Sequence, residues 1–298
     1  MRRPPDRAPP VPPWADALAR RALAEDRAFL DRTTRAVVRG PHAARARVTA
    51  QARGVLSGMA AARAVARRAG LTVVRAARDG SRVAPGRTVL ELRGDVRRIL
   101  AAERTILNLV MHASGVATAT RRAVDGARGA RPPLVVRATR KTLPGLRDLE
   151  KAAVVHGGGR PHRRDLADGI LIKNNHLAIV PLPTAVRRAG AARPRVGPVE
   201  VEVRTAAEAL AAARAGAAAI LIDNAGPRRA RAIVAALAAA GLRRGRFVEL
   251  SGGIRPEDVP RYRTVGADAV SLGAVTHSAP AVPFHLAVEP ARLRRPRP

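Results

Sequence analysis

The chain has 298 residues, carries 55 Lys or Arg against 23 Asp or Glu for a formal net charge of +32, and contains no cysteine. Its length allows one large α/β barrel or two modest domains, and the lack of cysteine excludes disulfides, thiolate zinc sites and a cysteine nucleophile. The charge suggests nucleic acid, but the arginines are scattered, and one Trp, one Tyr and three Phe are too few to stack a single strand, so we expect no specific nucleic-acid partner.

The N-terminal residues 1–13 mix prolines with charged residues and are predicted to be disordered. They lack the continuous apolar stretch of a secretory signal, and no uncharged apolar run is long enough to span a bilayer. We therefore expect a cytoplasmic protein without a membrane partner. Residues 14–28 have apolar positions at helical spacing and predict a helix that ends before a turn at 31–34.

The next region is rich in predicted strands and poor in chemical groups. Its strands are predicted at 46–52, 71–74 and 87–92, with a helix at 58–70 between them. Residues 103–127 then combine apolar positions with a run of small residues, which predicts a buried helix that packs closely and links two domains. Arg104 lies near the start of that helix.

After residue 133 short apolar strands alternate with alanine-rich helices, which is typical of βα units on a parallel sheet. The six strands are predicted at 134–139, 169–173, 199–203, 219–223, 247–251 and 269–273. Helices at 205–215 and 228–240 separate three of them. Right-handed crossovers on such a series close into a barrel, and six units predict a smaller or incomplete relative of the eight-stranded form.

Polar or glycine residues stand where these strands end. Because the carboxyl ends of parallel strands converge at one edge, the following residues are predicted to line one pocket. They are Arg140, Lys141, Lys173, Glu202, Asp223, Ser251 and Gly273.

The only three lysines, Lys141, Lys151 and Lys173, lie within one stretch of an arginine-biased chain. A lysine retained in such a chain indicates a need for a compact, mobile positive charge. Lys151 is nevertheless predicted to be a solvated helix residue. The other two belong to a cluster that we call the cationic wall, which is predicted to hold a small ligand with several negative charges and consists of Arg140, Lys141, His162, Arg163 and Lys173.

A phosphate cradle is predicted where the last two strands end. Ser251, Gly252 and Gly253 follow one strand, so bare backbone N–H groups and a hydroxyl can approach a phosphate. Ser271, Leu272 and Gly273 end the next strand and complete the cradle.

Two carboxylates, Glu202 and Asp223, end neighbouring predicted strands. Such oxygens suit ribose hydroxyls or the water shell of Mg²⁺, and pairing with a barrel arginine is the structural alternative. Glu200 is expected to point to the opposite side of its strand, which would leave Glu202 alone to face the pocket.

These segments resemble those of the quinolinate phosphoribosyltransferases, the carboxylating nicotinate-nucleotide pyrophosphorylases. The resemblance runs in order over residues 103–279. It is carried by ERTILNLVMHASGVAT, TRKTLPGLRDLEKAAVVHGGGRPHR, ILIKNNH, VEVEV, ILIDN, ELSGGI and VSLGAVTHSA. Asn174 departs from the family, which commonly has Asp after this lysine.

The resemblance implies an α/β fold, with an N-terminal open α/β sandwich and a C-terminal incomplete barrel of six to seven strands. The sandwich would span 14–110, joined by 280–290, and the barrel 111–279, followed by a basic tail at 291–298. It also implies a homodimer and a reaction in which quinolinate and phosphoribosyl pyrophosphate, with Mg²⁺, give nicotinate mononucleotide, pyrophosphate and CO₂.

The resemblance assigns roles to individual residues. Glu202 and Asp223 would hold the ribose hydroxyls and the metal's waters, Lys141 would lie near the pyrophosphate, and Arg104 would be donated across the dimer. The substrate-binding set that it implies is Arg104, Thr139, Arg140, Lys141, His162, Arg163, Lys173, Glu202, Asp223, Ser251, Gly252, Gly253, Ser271, Leu272, Gly273 and His277.

Two alternatives stay open at this point. A related phosphoribosyltransferase could use another pyridine acceptor, although a wall of several cations favours a dicarboxylate. A basic nucleic-acid-binding protein with a degenerate barrel would show salt-sensitive DNA affinity and would tolerate the loss of Lys141 or Asp223.

Overall fold

The computed structural model describes residues 10–192 and 198–290. Of the segment 1–13 that was predicted to be disordered, residues 1–9 lie outside the described part, as does the predicted basic tail at 291–298, whereas Pro13 is the first residue of a helix. The chain divides into two compact units. The first comprises Met1–Thr118, Asp148–His156 and Pro280–Pro298, and the second Ala119–Arg147 and Gly157–Ala279. Within the described ranges, no helix combines the length and apolarity needed to cross a membrane.

The helices are α1 (Pro13–Glu25), α2 (Arg32–Val37), α3 (Met59–Arg68), α4 (Val96–Ala127), α5 (Arg147–His156), α6 (Asn174–Leu177), α7 (Leu182–Ala191), α8 (Ala206–Arg214), α9 (Pro227–Ala239) and α10 (Ala274–His277). The strands are β1 (Ala43–Ala50), β2 (Gly54–Val55), β3 (Thr72–Ala76), β4 (Arg82–Val83), β5 (Thr88–Asp95), β6 (Val135–Ala138), β7 (Ile170–Ile172), β8 (Val199–Val203), β9 (Ala219–Asp223), β10 (Phe247–Ser251), β11 (Ala269–Leu272) and β12 (Phe284–Pro290). Short 3-10 helices occupy Ala28–Leu30 and Pro256–Tyr262.

The first unit is built on an antiparallel sheet in the order β12-β1-β5-β3. Every second residue of β1 is buried, including Ala46 and Val48, as expected for a strand with one face on the core. The three strands predicted in this region correspond to β1, β3 and β5. The edge strand β12, which pairs with β1 in the register Ala46 to Val288, was not predicted as a strand.

Two local predictions in the first unit were wrong. The turn expected at 31–34 is the start of α2, because Asp31 caps that helix by accepting a hydrogen bond from the Thr34 N–H at 2.9 Å. Lys151 was expected to be solvated, yet it is only 7% exposed. It lies on the buried face of α5 beside Glu150, where the long apolar stem of a lysine can pack.

The second unit is a six-stranded parallel sheet in the order β6-β11-β10-β9-β8-β7. Strands β6 and β7 form its two edges, so the barrel is incomplete and has six strands. The inner strands are buried along nearly their whole length, as expected of parallel strands covered on both faces, although β8 and β10 also carry buried glutamates. The predicted α/β class, with a mixed N-terminal unit and an incomplete parallel barrel, is confirmed.

The close packing expected of the small residues in α4 gives a test of stability. A Cβ atom added at Gly115 would lie 2.3 Å from the carbonyl oxygen of Pro280. Because backbone on both sides would have to shift, we expect Gly115→Ala to lower the free energy of unfolding by about 1–3 kcal/mol, measured by urea denaturation.

Gly190→Ala in α7 is the control, since nothing lies within 4 Å of the added methyl group. This change is expected to raise the free energy of unfolding by about 0.5–1 kcal/mol through helix propensity. Equal effects of the two substitutions would contradict the close approach at Gly115.

Candidate active site at the carboxyl edge of the parallel sheet

Neighbouring strands bring the predicted polar residues to one edge of the sheet. Asp223 at the end of β9 is in register with Ser251 at the end of β10. On the other side of β9, Glu202 of β8 is in register with Leu221. The structure therefore places these three strand ends side by side, as the parallel arrangement requires.

Lys173 and Glu202 form the ion pair of this edge. The Lys173 ammonium donates to Glu202 Oε2 at 2.9 Å, and the Glu202 side chain is largely buried. The backbone N–H of Asn174 is 3.5 Å from Glu202 Oε1, and the Lys173 N–H donates to His176 Nδ1 at 2.8 Å. The short helix α6 thus begins next to the Glu202 carboxylate. Its contacts fix the backbone of Lys173, which directly follows β7.

Asp223 is held by its neighbours, and its side chain, like that of Glu202, is largely buried. The Asn224 amide donates to Asp223 Oδ2 at 2.8 Å, and the Arg204 guanidinium lies 3.7 Å from the same oxygen. The arginine is mostly exposed, so this pairing is weak. The carboxylate oxygens of Glu202 and Asp223 are the donor type that Mg²⁺ or ribose hydroxyls prefer, and the two residues fit that role.

The predicted phosphate cradle has the backbone conformation expected of it. Gly252 and Gly253 have φ angles of 86° and 65°, which other residues rarely adopt. At the end of β11, Gly273 lies against Lys141 and His277, because a Cβ atom at this glycine would be 3.0 Å from Lys141 Cδ and 2.9 Å from His277 Nε2. The two strand ends therefore carry glycines whose backbone is not covered by a side chain of their own.

Thr276 ties the first and last strands of the barrel together. Its buried hydroxyl lies 2.8 Å from the carbonyl oxygen of Lys141 and 2.9 Å from that of Gly273. Thr139 Oγ1 also accepts a hydrogen bond from the Lys141 N–H at 3.0 Å. The backbone that carries Lys141 is thus fixed, while its ammonium-bearing side chain is exposed.

Two members of the predicted cradle do not offer their side chains to it. The Ser271 hydroxyl donates to Glu249 Oε1, and Leu272 is fully buried. Any contact of these residues with a phosphate would have to come from the backbone.

The remaining members of the cationic wall include two mutually repelling arginines. Burial, and next the charge of Arg140, lowers the pKa of Arg163. Arg163 also donates to the carbonyl oxygen of Gly169, at 3.5 Å. Two guanidinium groups that repel each other in a half-buried setting favour the binding of an anion between them.

Beneath this edge the barrel interior contains buried charges that sequence reasoning missed. Glu249 is fully buried, pairs with Arg137 and accepts from the Ser271 hydroxyl. His162 Nε2 lies 3.8 Å from Glu200 Oε2. Ligand atoms of His162, Glu200 and Glu249 lie within 4.8 Å of one another. The sequence indicated these buried charges through charged residues within otherwise apolar strands, as in VVRA and FVEL.

The expected orientation of Glu200 was wrong. Side chains two positions apart in a strand point to the same face, so Glu200 and Glu202 both enter the barrel interior. Burial, reinforced by the nearby Glu249 carboxylate, raises the pKa of Glu200 to about 8. One of its oxygens, Oε1, has no hydrogen-bond partner among the described residues.

Arg104 lies on α4 in the first unit, and its side chain is exposed. All the other predicted site residues belong to the second unit.

Comparison with known proteins identifies similar chains. The family profile described as the C-terminal domain of quinolinate phosphoribosyl transferase matches residues 116–287, and that of its N-terminal domain matches 31–114. A probable nicotinate-nucleotide pyrophosphorylase [carboxylating] from Methanothermobacter thermautotrophicus is 39% identical over 91% of this chain and 98% of its own length. Its counterpart from Archaeoglobus fulgidus is 39% identical over 81% and 93%. The crystal structure of NadC from Streptococcus pyogenes superposes with a TM-score of 0.86 at 34% identity, covering 95% of this chain and all of that one.

The buried carboxyl of Glu200 predicts a pH-dependent stability. Its folded-state pKa of about 8 lies above the ordinary value of 4.5, so its contribution is fully present below pH 4.5 and is lost as the pH rises to about 8. Glu200→Gln keeps the shape and cannot ionise. We expect the melting temperature of this variant, relative to the parent, to rise steadily between those two pH values.

The exposed Glu257→Gln provides the matched control for the loss of one carboxylate from the net charge. A difference between Glu200→Gln and the parent that is constant across the same pH range would contradict the raised pKa.

Proposed function

The chain belongs to the quinolinate phosphoribosyltransferase family, and from that premise we propose how its residues carry out the reaction. It is a carboxylating nicotinate-nucleotide pyrophosphorylase, a pentosyltransferase of de novo NAD biosynthesis. The enzyme transfers the phosphoribosyl group of phosphoribosyl pyrophosphate to quinolinate and releases pyrophosphate and CO₂. The assignment of each step to particular residues is our proposal.

The observation that carries the proposal is the meeting of cations, carboxylates and bare glycine backbone at one sheet edge. The quinolinate dicarboxylate binds the cationic wall through Arg140, His162, Arg163 and Lys173. The repulsion between Arg140 and Arg163 supports this step, because an anion between them relieves it. A monocarboxylate would neutralise less of this charge, which is why quinolinate is preferred over another pyridine acceptor.

Phosphoribosyl pyrophosphate binds at the neighbouring strand ends. Its 5′-phosphate lies against the backbone of Gly252, Gly253 and Gly273, whose positive φ angles or lack of Cβ leave N–H groups accessible. His277 closes the same region. The exposed ammonium of Lys141, on a backbone anchored by Thr276, reaches the pyrophosphate.

Transfer of the phosphoribosyl group requires stabilisation of the positive charge that develops at the anomeric carbon. As pyrophosphate leaves, positive character develops there, and the Glu202 and Asp223 carboxylates stabilise it while holding the ribose hydroxyls. Lys141 stabilises the leaving group. Mg²⁺, held by the same two carboxylates through water, would supply further neutralisation of the pyrophosphate.

The acceptor needs no general base, because the pyridine nitrogen of quinolinate is already a nucleophile. Once it is ribosylated, the ring nitrogen is cationic and stabilises the electron pair left on the adjacent ring carbon as CO₂ departs, and that carbon then takes up a proton from water. The cationic wall therefore contributes mainly by positioning the ring. Lys173 links the two parts of the proposed site, because it belongs to the cationic wall and its ammonium donates to Glu202.

Several broader features belong to the same proposal. The enzyme acts as a homodimer in which Arg104 completes the partner's site, and it is cytoplasmic. The proposal also assigns the sandwich domain to residues 14–110 with 280–290 and the barrel domain to residues 111–279.

The leaving-group role of Lys141 predicts the first experiment. The parent should convert quinolinate and phosphoribosyl pyrophosphate, with Mg²⁺, to CO₂ and nicotinate mononucleotide in equal amounts. Lys141→Ala should lower kcat by about 10²- to 10³-fold, because an electrostatic contact to developing charge is lost. Lys141→Arg, which keeps the charge but changes its geometry, should retain part of the activity.

Arg228→Ala is the control, since this exposed arginine at the start of α9 lies outside the proposed site. Normal turnover by Lys141→Ala would refute the assignment of the lysine. Ribosylation of nicotinate with no turnover of quinolinate would leave the fold assignment intact and overturn the acceptor.

A further inference from the structure

Asn224, directly after β9, has an unusual backbone conformation. Its φ angle is 51°, and Arg27 is the other non-glycine residue with positive φ within the described ranges. Asparagine tolerates this left-handed region better than most residues, although at a cost relative to glycine. A non-glycine residue kept in this conformation next to a proposed catalytic carboxylate calls for a reason beyond the turn itself.

The side-chain amide supplies that reason. It donates from Nδ2 to Asp223 Oδ2 at 2.8 Å. The opposite amide orientation would place Oδ1 against the carboxylate and create repulsion, so the donor must face Asp223. One side chain thus fixes which way the Asp223 carboxylate turns.

The backbone of Asn224 is bound to the phosphate cradle. Its N–H donates to the carbonyl oxygen of Ser251 at 2.9 Å, and its own carbonyl accepts from Arg229. A Cβ atom at Gly252 would lie 2.5 Å from the Asn224 nitrogen and 2.6 Å from its Oδ1. The residue therefore fills the space between the Asp223 carboxylate and the Ser251–Gly253 loop.

We propose that Asn224 is a positioning residue that fixes the Asp223 carboxylate relative to the Ser251–Gly253 cradle. The inference rests on the proposed function, because it assigns the ribose to the first group and the 5′-phosphate to the second. Phosphoribosyl pyrophosphate carries both at a fixed separation. Holding the two protein groups at the matching separation before binding lowers the ordering required in the complex.

Asparagine combines the two requirements at this position. Glycine adopts the left-handed conformation freely but has no amide. Aspartate is nearly isosteric and also tolerates this region, but its carboxylate cannot donate to Asp223. The variants Asn224→Gly and Asn224→Asp therefore remove the donor while preserving the backbone preference.

The experiment measures kcat and KM for phosphoribosyl pyrophosphate, its affinity by calorimetry with Mg²⁺ in the absence of quinolinate, and the melting temperature. For Asn224→Gly we expect kcat/KM to fall by about 10- to 100-fold with an unchanged melting temperature. Asn224→Asp should show a loss of at least that size. Arg27→Gly, at the other left-handed residue, is the control and should leave kcat/KM unchanged.

A double-mutant cycle with Asp223→Ala separates a positioning role from a direct contact. If Asn224 acts through Asp223, adding Asn224→Gly to Asp223→Ala should leave the affinity for phosphoribosyl pyrophosphate unchanged. A full additional loss in that background, or parental kcat/KM in either single variant of Asn224, overturns the proposal. If the parent binds phosphoribosyl pyrophosphate but fails to ribosylate quinolinate, the acceptor assignment fails, and the affinities still decide the role of Asn224.

Discussion

The parallel alignment of six strands is the constraint on which the site depends. In the second unit each strand carries its chain in the same direction, so all carboxyl ends lie at one edge of the sheet. Residues separated by more than a hundred positions, from Lys141 to Gly273, can therefore meet without any local sequence motif. The helices between strands have to return the chain to the opposite edge, and an alanine-rich helix does so with little side-chain entropy lost.

The same geometry explains why the barrel interior is charged below this edge. Strand residues that precede an edge group by two positions share its face, so Glu200 lies beneath Glu202 and Glu249 beneath Ser251. Buried carboxylates are tolerated only where partners satisfy them, and Arg137 and Ser271 do this for Glu249. Among the described residues, Glu200 lacks a hydrogen-bond partner for its Oε1 atom, which is consistent with the rise in its pKa. The interior thus holds one fully satisfied carboxyl group, that of Glu249, close to one that is incompletely satisfied, that of Glu200.

Features set by periodicity were predictable, whereas those set by side-chain geometry were not. The alternation of short strands such as β8, β9 and β10 with alanine-rich helices predicted the parallel sheet, and the polar and glycine residues at the strand ends predicted the edge where the candidate site lies. The role proposed for Asn224 could not be predicted, because it depends on a φ angle and on one amide contact that are present only in the folded chain. Lys151 was misassigned because charge was weighed without the apolar face of α5. The resemblance to the family supplied individual roles that periodicity could not.

Lysine and arginine would act differently at position 173 of the candidate site. In a chain where nearly every basic residue is arginine, Lys173 makes a single contact with one oxygen of Glu202, at 2.9 Å. An arginine there would bind both carboxylate oxygens as a rigid fork and would leave neither for a ribose hydroxyl. The lysine leaves Glu202 Oε1 to the Asn174 N–H, which lies 3.5 Å away. In the proposed reaction its flexible stem can still follow a carboxylate of the acceptor. In the proposed reaction, a lysine at this strand end lets one cation serve two anions in turn.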